Sequence, residues 1–172
     1  VFKLSPKYLL FLNVDREHVE FYKSYSNLKL KVKRYILSQI QKDVKIFINN
    51  DDFFLSSLKK YSNKIKSFGS NKKAIYRYKL MKLNDKKSSF DIFKNNKILS
   101  KSLSTNLLGE HNVQNITAAL AVIDDLGYKI KKSHILDFKG TKRRLNILGK
   151  LKKTIFIDDY AHHPTEIEKL IN

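Results

Sequence analysis

The densest group of titratable residues lies near the end of the chain, at residues 157–166, IDDYAHHPTE. Two acids, a tyrosine and two histidines there follow an apolar run into a turn, and Pro164 with Thr165 would start a helix just beyond. Such groups at a strand end can hold hydroxyls, move a proton or bind a divalent ion. Neighbouring His162 and His163 point in different directions and no HEXXH spacing occurs, which argues against a zinc site. A second group, GEHNVQN at 109–115, sets Asn112 and Asn115 three residues apart, on one face of a helix. Their amides can pair with the donor and acceptor edge of a purine, and Asn112 can equally cap the helix. A third, Lys142-Arg143-Arg144 after Gly140, joins two of the chain's five arginines where one folding unit gives way to the next. Paired guanidinium groups suit transferring phosphoryl oxygens, and a solvated basic turn is the plain alternative. A fourth, Asp15, Glu17 and His18, could bind a divalent ion or use His18 as a base, or be merely a polar turn.

These groups need elements to hold them. An apolar run at 8–13 predicts a buried strand with the Asp15–His18 group at its carboxyl end, where open α/β sheets carry their sites. Helical spacing follows from Val19 to Ile40, a strand over 44–48 closed by Asn49, Asn50, Asp51 and Asp52, and a short helix over 53–61. Further strands are expected at 64–68 and 75–83, and two extended runs around Asn95-Asn96 read as a hairpin, since Asn tolerates positive φ. An amphipathic helix over 111–126 presents Val113, Ile116, Leu120, Ile123 and Leu126 on one side, and Gly127 stops it. A short helix over 133–138 precedes two strands, 144–148 and 154–157, bracketing a Gly149-Lys150 turn.

The 172 residues suffice for one full domain and the start of another, and a chain that opens on Val1 and closes on a helix just begun reads as a fragment at both ends. No membrane span or export signal is present, so the expected location is cytoplasmic. Zero cysteines exclude disulfides and thiolate metal sites. The formal charge of +19 admits a nucleic-acid-binding module, with nine Tyr and eleven Phe available to stack on bases. Only five of the 35 basic residues are Arg, however, and the lysines are spread along the chain among many Asn and Ile, which is the mark of compositional drift.

In order and spacing, VDREHVE, GEHNVQNITAALAV, FKGTKRRLNILG and IDDYAHHPTEI resemble the Mur ligase family. The resemblance implies an α/β fold: residues 1–140 as part of the central ATP-binding domain, a mostly parallel sheet with helices plus an antiparallel portion, and 141–172 as the start of a Rossmann-like C-terminal domain. It also implies ATP and Mg2+ as cofactors and an acyl-phosphate intermediate. The last two motifs are most similar to the members that join L-alanine to UDP-N-acetylmuramate, with Tyr160 and Glu166 favouring these over the related tripeptide-recycling ligases. By the same resemblance His18 assists the metal, His111, Asn112 and Asn115 lie at the adenine, Asp159 holds the ribose, Arg144 reaches the nucleotide and acts in catalysis, and Tyr160 and catalytic His162 approach the amino-acid substrate. No GxxxxGK[ST] loop occurs, so a chain of this extent is expected to be inactive alone.

Overall fold

The computed structural model describes residues 5–16, 19–83, 87–141, 146–162, 167–168 and 171. The chain divides into two compact units, Val1–Phe138 and Lys139–Asn172. In the first, strands β1 (Tyr8–Phe11), β2 (Lys45–Asn49), β3 (Ile65–Gly69), β4 (Tyr76–Leu83), β5 (Ser88–Lys94) and β6 (Lys97–Thr105) form one sheet whose strand order follows the chain. Pairing is parallel from β1 to β4 and antiparallel from β4 to β6, the mixed α/β arrangement expected from the sequence. β4 is the joint between the two halves. Only its Tyr76 and Arg77 pair with β3, and the remainder continues past the end of β3 alongside β5.

β2 is apolar and buried at Ile46, Phe47 and Ile48, where helices cover both of its faces. Ile46 and Ile48 join Val14, Ile36, Val44, Leu55, Leu58 and Ile65 in a core under helices α2 (Tyr25–Ile40) and α3 (Phe53–Ser57). On the opposite face Phe47, Phe68 and Tyr76 pack on Ala118 and Ala121 of α4 (Glu110–Asp125), whose small side chains let the helix approach the rings. Tyr78, Phe90, Ile92 and Leu103 of the antiparallel half meet Val113 and Leu120 of the same helix and Ile135 of α5 (Lys132–Asp137). Among the described residues Tyr35, Phe47, Phe68, Tyr76, Tyr78 and Phe90 are buried, whereas Phe21, Phe53 and Tyr128 are exposed at 77%, 92% and 68%.

Several local expectations need correction. The helix read from Val19 to Ile40 is two, α1 (Val19–Tyr22) and α2, because Lys23 turns to φ 63° and extended Ser24 caps α2, its Oγ accepting from Asn27 N at 3.1 Å. The second half of the helix expected over 53–61 tightens into a 3₁₀ turn, Leu58–Tyr61. Leu126, placed on the core face from its spacing, is the C-cap of α4 and 47% exposed. The hairpin at Asn95-Asn96 holds, with φ of 50° and 63°. The second unit pairs β7 (Asn146–Leu151) with β8 (Thr154–Asp158), but the turn is Lys152-Lys153 rather than Gly149-Lys150. Lys152 takes φ 53°, while Gly149 sits inside β7 at a register shift, with open space where a Cβ would stand.

α4 ends on Asp124 and Asp125, two acids at the negative pole of the helix dipole. Three lysines offset that cost: Lys94 Nζ lies 2.6 Å from Asp124, Lys45 Nζ lies 3.0 Å from Asp125, and Lys66 also pairs with Asp125. Tyr76 Oη donates to Asp124 at 2.8 Å. Burial pushes the Asp124 carboxyl up, but the hydrogen bonds from Lys94 and Tyr76 and the neighbouring positive charge outweigh it and hold the group below its ordinary 3.8. A carboxyl with a lowered folded value stabilises fully above its unfolded value and loses that contribution as pH falls through the folded one. Thermal melts across the acid range should therefore show stability dropping once pH passes below 3.8, and Asp124→Asn should flatten that limb. Asp125→Ala, which leaves partly buried Lys66 without its partner, is expected to cost roughly 1–3 kcal/mol in denaturant unfolding at neutral pH.

Candidate functional site

The polar run after β2 links the carboxyl ends of β1, β2 and β3, and its Asp51 approaches Gln114 near the start of α4. Asn49 Nδ2 donates to Leu12 O at 2.9 Å, and its Oδ1 accepts from Asp51 N at 2.9 Å. Asp52 caps α3 through Leu55 N at 2.8 Å, and its second oxygen accepts from Val14 N at 3.0 Å, so one carboxylate ties the end of β1 to the start of α3. Asn50 Oδ1 accepts from Lys59 Nζ at 3.2 Å. Asp51 takes the widest reach: its two oxygens accept from Ser70 N at 2.6 Å and Asn71 N at 3.0 Å in the loop after β3, and Gln114 Nε2 of α4 lies 3.5 Å away. Gly69, at φ 150°, makes room for this carboxylate, since a Cβ there would stand 2.7 Å from Asp51 Oδ2.

α4 begins at Gly109, where φ is 87° and no side chain caps the helix. Tyr78 Oη instead donates to Glu110 Oε1 in the first turn at 2.9 Å. Burial, then the carboxylate of Glu110, raise the Tyr78 phenol above its ordinary 10.0, so it stays a donor at any physiological pH. Asn112 Nδ2 donates to Leu108 O at 2.6 Å and lies 3.1 Å from His111 Nε2. The amide hydrogens of Asn112 thus tie the chain entering the helix and leave its carbonyl oxygen to accept; the capping alternative does not hold, because the N-cap is Gly109 and Asn112 lies inside the first turn. His111 and Asn115 are exposed, and Asn115 makes no side-chain hydrogen bond among the described residues. The structure therefore brings His111, Asn112 and Asn115 together at one end of α4.

In the second unit Asp159 Oδ1 accepts from Ala161 N at 2.7 Å, closing a turn just past β8. His162 Nδ1 lies 2.9 Å from Tyr160 O, and because a carbonyl only accepts, this nitrogen donates there. The rings of Tyr160 and His162 meet edge to face with centroids 5.0 Å apart. Asp159, Tyr160 and His162 are thus gathered in this unit. His18, Lys142, Arg143, Arg144, His163 and Glu166 lie outside the described residues, as do Pro164 and Thr165, while Ile167, Glu168 and Ile171 of the helix expected from there are helical. Among the described residues no three His, Asp or Glu side chains gather to hold a metal. None of their helices is long and apolar enough to cross a membrane.

The profile of the Mur ligase middle domain matches residues 1–123. The chain belongs to the Mur ligase family. It is 35% identical to the UDP-N-acetylmuramate–L-alanine ligase of Pelagibacter ubique, an alignment that covers 98% of this chain and 38% of that protein. The chain thus spans well under half the length of the relative it matches. Its fold is shared by MurF from Acinetobacter baumannii, with a TM-score of 0.77 at 24% identity over 95% of this chain and 36% of that one. It is shared too by MurF ligase from Thermotoga maritima in complex with ADP, with a TM-score of 0.71 at 21% identity over 96% and 38%.

In this Mur ligase segment the residues that assemble the sheet edge, Asp51, Gly69, Ser70, Tyr78 and Gln114, were not singled out by sequence reasoning, which took 49–52 as the polar close of a strand. The available signal was an acid doublet at the end of an apolar strand, with a glycine closing the next strand. The seat has a direct test. Gly69→Ala imposes a strained φ and drives a Cβ into Asp51, so it should lower stability by about 1–3 kcal/mol in a denaturant melt, whereas Gly149→Ala, with open space around its Cβ, should change it little.

Proposed function

We propose that the chain is the central part of an ATP-dependent ligase that joins L-alanine to UDP-N-acetylmuramate in peptidoglycan precursor synthesis in the cytoplasm. The observation that carries this reading is the 35% identity to a ligase of that name, which extends over 98% of the chain and so takes in the second unit as well as the middle domain. The domain assignment goes with it: residues 1–140 from the central ATPase domain and 141–172 from the start of the Rossmann-like C-terminal domain. The chemistry is a transfer of the γ-phosphoryl group of ATP to the substrate carboxylate, which releases ADP, followed by attack of the alanine amine on the acyl phosphate, which releases phosphate.

Each residue has a role this chemistry can use. Asn112, with its N–H groups turned inward, offers a carbonyl to the amino group of adenine, and Asn115 beside it has a whole amide for the ring edge, with His111 alongside. The Asp159 carboxylate suits a ribose hydroxyl. His162, held at Nδ1 by Tyr160 O, would receive the proton that the amine loses, and Tyr160 would supply an apolar wall against the small amino acid. Arg144 would spread the charge of the transferring phosphoryl oxygens. A magnesium ion near His18 is the part of the reading that rests on the resemblance alone, and no step above is routed through it.

The 172-residue chain carries no phosphate-cradling GxxxxGK[ST] loop, so ATP hydrolysis and ligation with L-alanine and UDP-N-acetylmuramate should both be undetectable for it; turnover by the chain alone would overturn the alignment. In the complete enzyme two substitutions should separate. Asp159→Ala is expected to raise the KM for ATP by about 10- to 100-fold through loss of a charged hydrogen bond, while Arg144→Ala lowers kcat more than nucleotide affinity. Steady-state kinetics with ATP varied, run beside a thermal melt, checks both, and unchanged constants in a folded variant would remove that residue's role. Preference for the tripeptide over L-alanine would reassign the enzyme to the recycling ligases. Tight nucleic-acid binding by the chain with a steep salt dependence would instead favour the binding-module reading.

A further inference from the structure

Tyr76 and Tyr78 stand two residues apart on β4, so both rings point to the face that α4 covers, and both are buried there. Their hydroxyls reach opposite ends of the helix: Tyr78 Oη donates to Glu110 Oε1 in the first turn at 2.9 Å, and Tyr76 Oη donates to Asp124 Oδ2 in the last at 2.8 Å. Two rigid struts rising from one strand fix the position of α4 along its own axis. A slide of one residue, about 1.5 Å, would lengthen one bond while crowding the other.

The two ends differ in what else holds them. At the last turn Lys94, Lys45 and Lys66 also grip the acids, so loss of the Tyr76 hydroxyl leaves three ionic ties in place. At the first turn Gly109 supplies no cap, and the neighbouring tie from Gln114 to Asp51 is long at 3.5 Å. The first turn is also the one that carries Asn112 and Asn115. We infer that Tyr78 is a positioning residue for nucleotide binding: through Glu110 it sets the first turn of α4 so that Asn112 and Asn115 meet the adenine together. This rests on the nucleotide role proposed above for those two residues.

Tyr78→Phe and Tyr76→Phe each delete one hydroxyl and keep the buried ring, so both should fold. ADP is added to the isotopically labelled 172-residue chain while the side-chain amide resonances of Asn112 and Asn115 are followed. Tyr78→Phe should weaken binding at least about fivefold, the scale set by losing a hydrogen bond to a charged group, and Tyr76→Phe should leave it within about twofold. Amide exchange should quicken at residues 111–115 in the first variant and at 122–126 in the second. Glu110→Gln keeps a carbonyl acceptor and should bind ADP like the parent, whereas Glu110→Ala should behave like Tyr78→Phe. Equal ADP affinity in Tyr78→Phe and the parent, or exchange that quickens evenly along the whole helix, overturns the inference. Resonances of Asn112 and Asn115 that ignore ADP in the parent overturn it too, and exchange confined to 111–115 in Tyr78→Phe would then place the fault in the nucleotide role and not in the strut.

Discussion

Two cores of the first unit depend on how α4 is fastened to the sheet. The helix contributes Ala118 and Ala121 to one core and Val113 and Leu120 to another, so neither the parallel nor the antiparallel half is complete without it. Hydrophobic packing alone would let a helix with such small contact residues slide, because burial is non-directional. The polar contacts remove that freedom. Asp124 and Asp125 are held at one end by lysines from β2, β3 and β5, and Glu110 at the other end by a tyrosine of β4. Acids at the wrong pole of a helix are costly, and here the cost is offset by a set of cations that also ties three strands to one point.

That fastening explains why the candidate site lies where it does. α4 runs from the carboxyl edge of β2 and β3, where Gln114 meets Asp51, back to their amino ends, where Asp125 meets Lys45 and Lys66. The exposed first turn, with His111, Asn112 and Asn115, is therefore delivered to the edge where the strands expose their loops. Asp51, seated over Gly69, fixes those loops with backbone hydrogen bonds, so the edge is a set of bonded backbones and not a loose rim.

Much of this was legible from residue order. The apolar run of β2, the alternation in β4, the Asn95-Asn96 turn and the amphipathic α4 each follow from periodicity or from the conformations a residue tolerates, and the Mur ligase resemblance rested on the motifs around them. What periodicity could not show was punctuation set by single backbone angles. Lys23 breaks a helix whose apolar spacing runs on without a gap, and Lys152 takes the turn although Gly149 looks the better candidate, because pairing of Leu151 with Thr154 decides where the chain reverses. The site was legible where its residues adjoin in sequence, as in His111 to Asn115 and Asp159 to His162. It was hidden where partners are distant, as with Asp51 and Gln114, 63 positions apart.

The strand order of the sheet has a consequence for how the molecule comes into being. Each strand from β1 to β6 is laid beside the one made immediately before it, so no gap must be held open for a later segment, and most strand pairing closes over short or moderate stretches of chain. A chain emerging from the ribosome can add strands one at a time from the same side. α4 is the exception: it is synthesised after all six strands, yet it covers Phe47, Phe68 and Tyr76, residues made long before it. Until the helix is made these rings lack the cover it gives them.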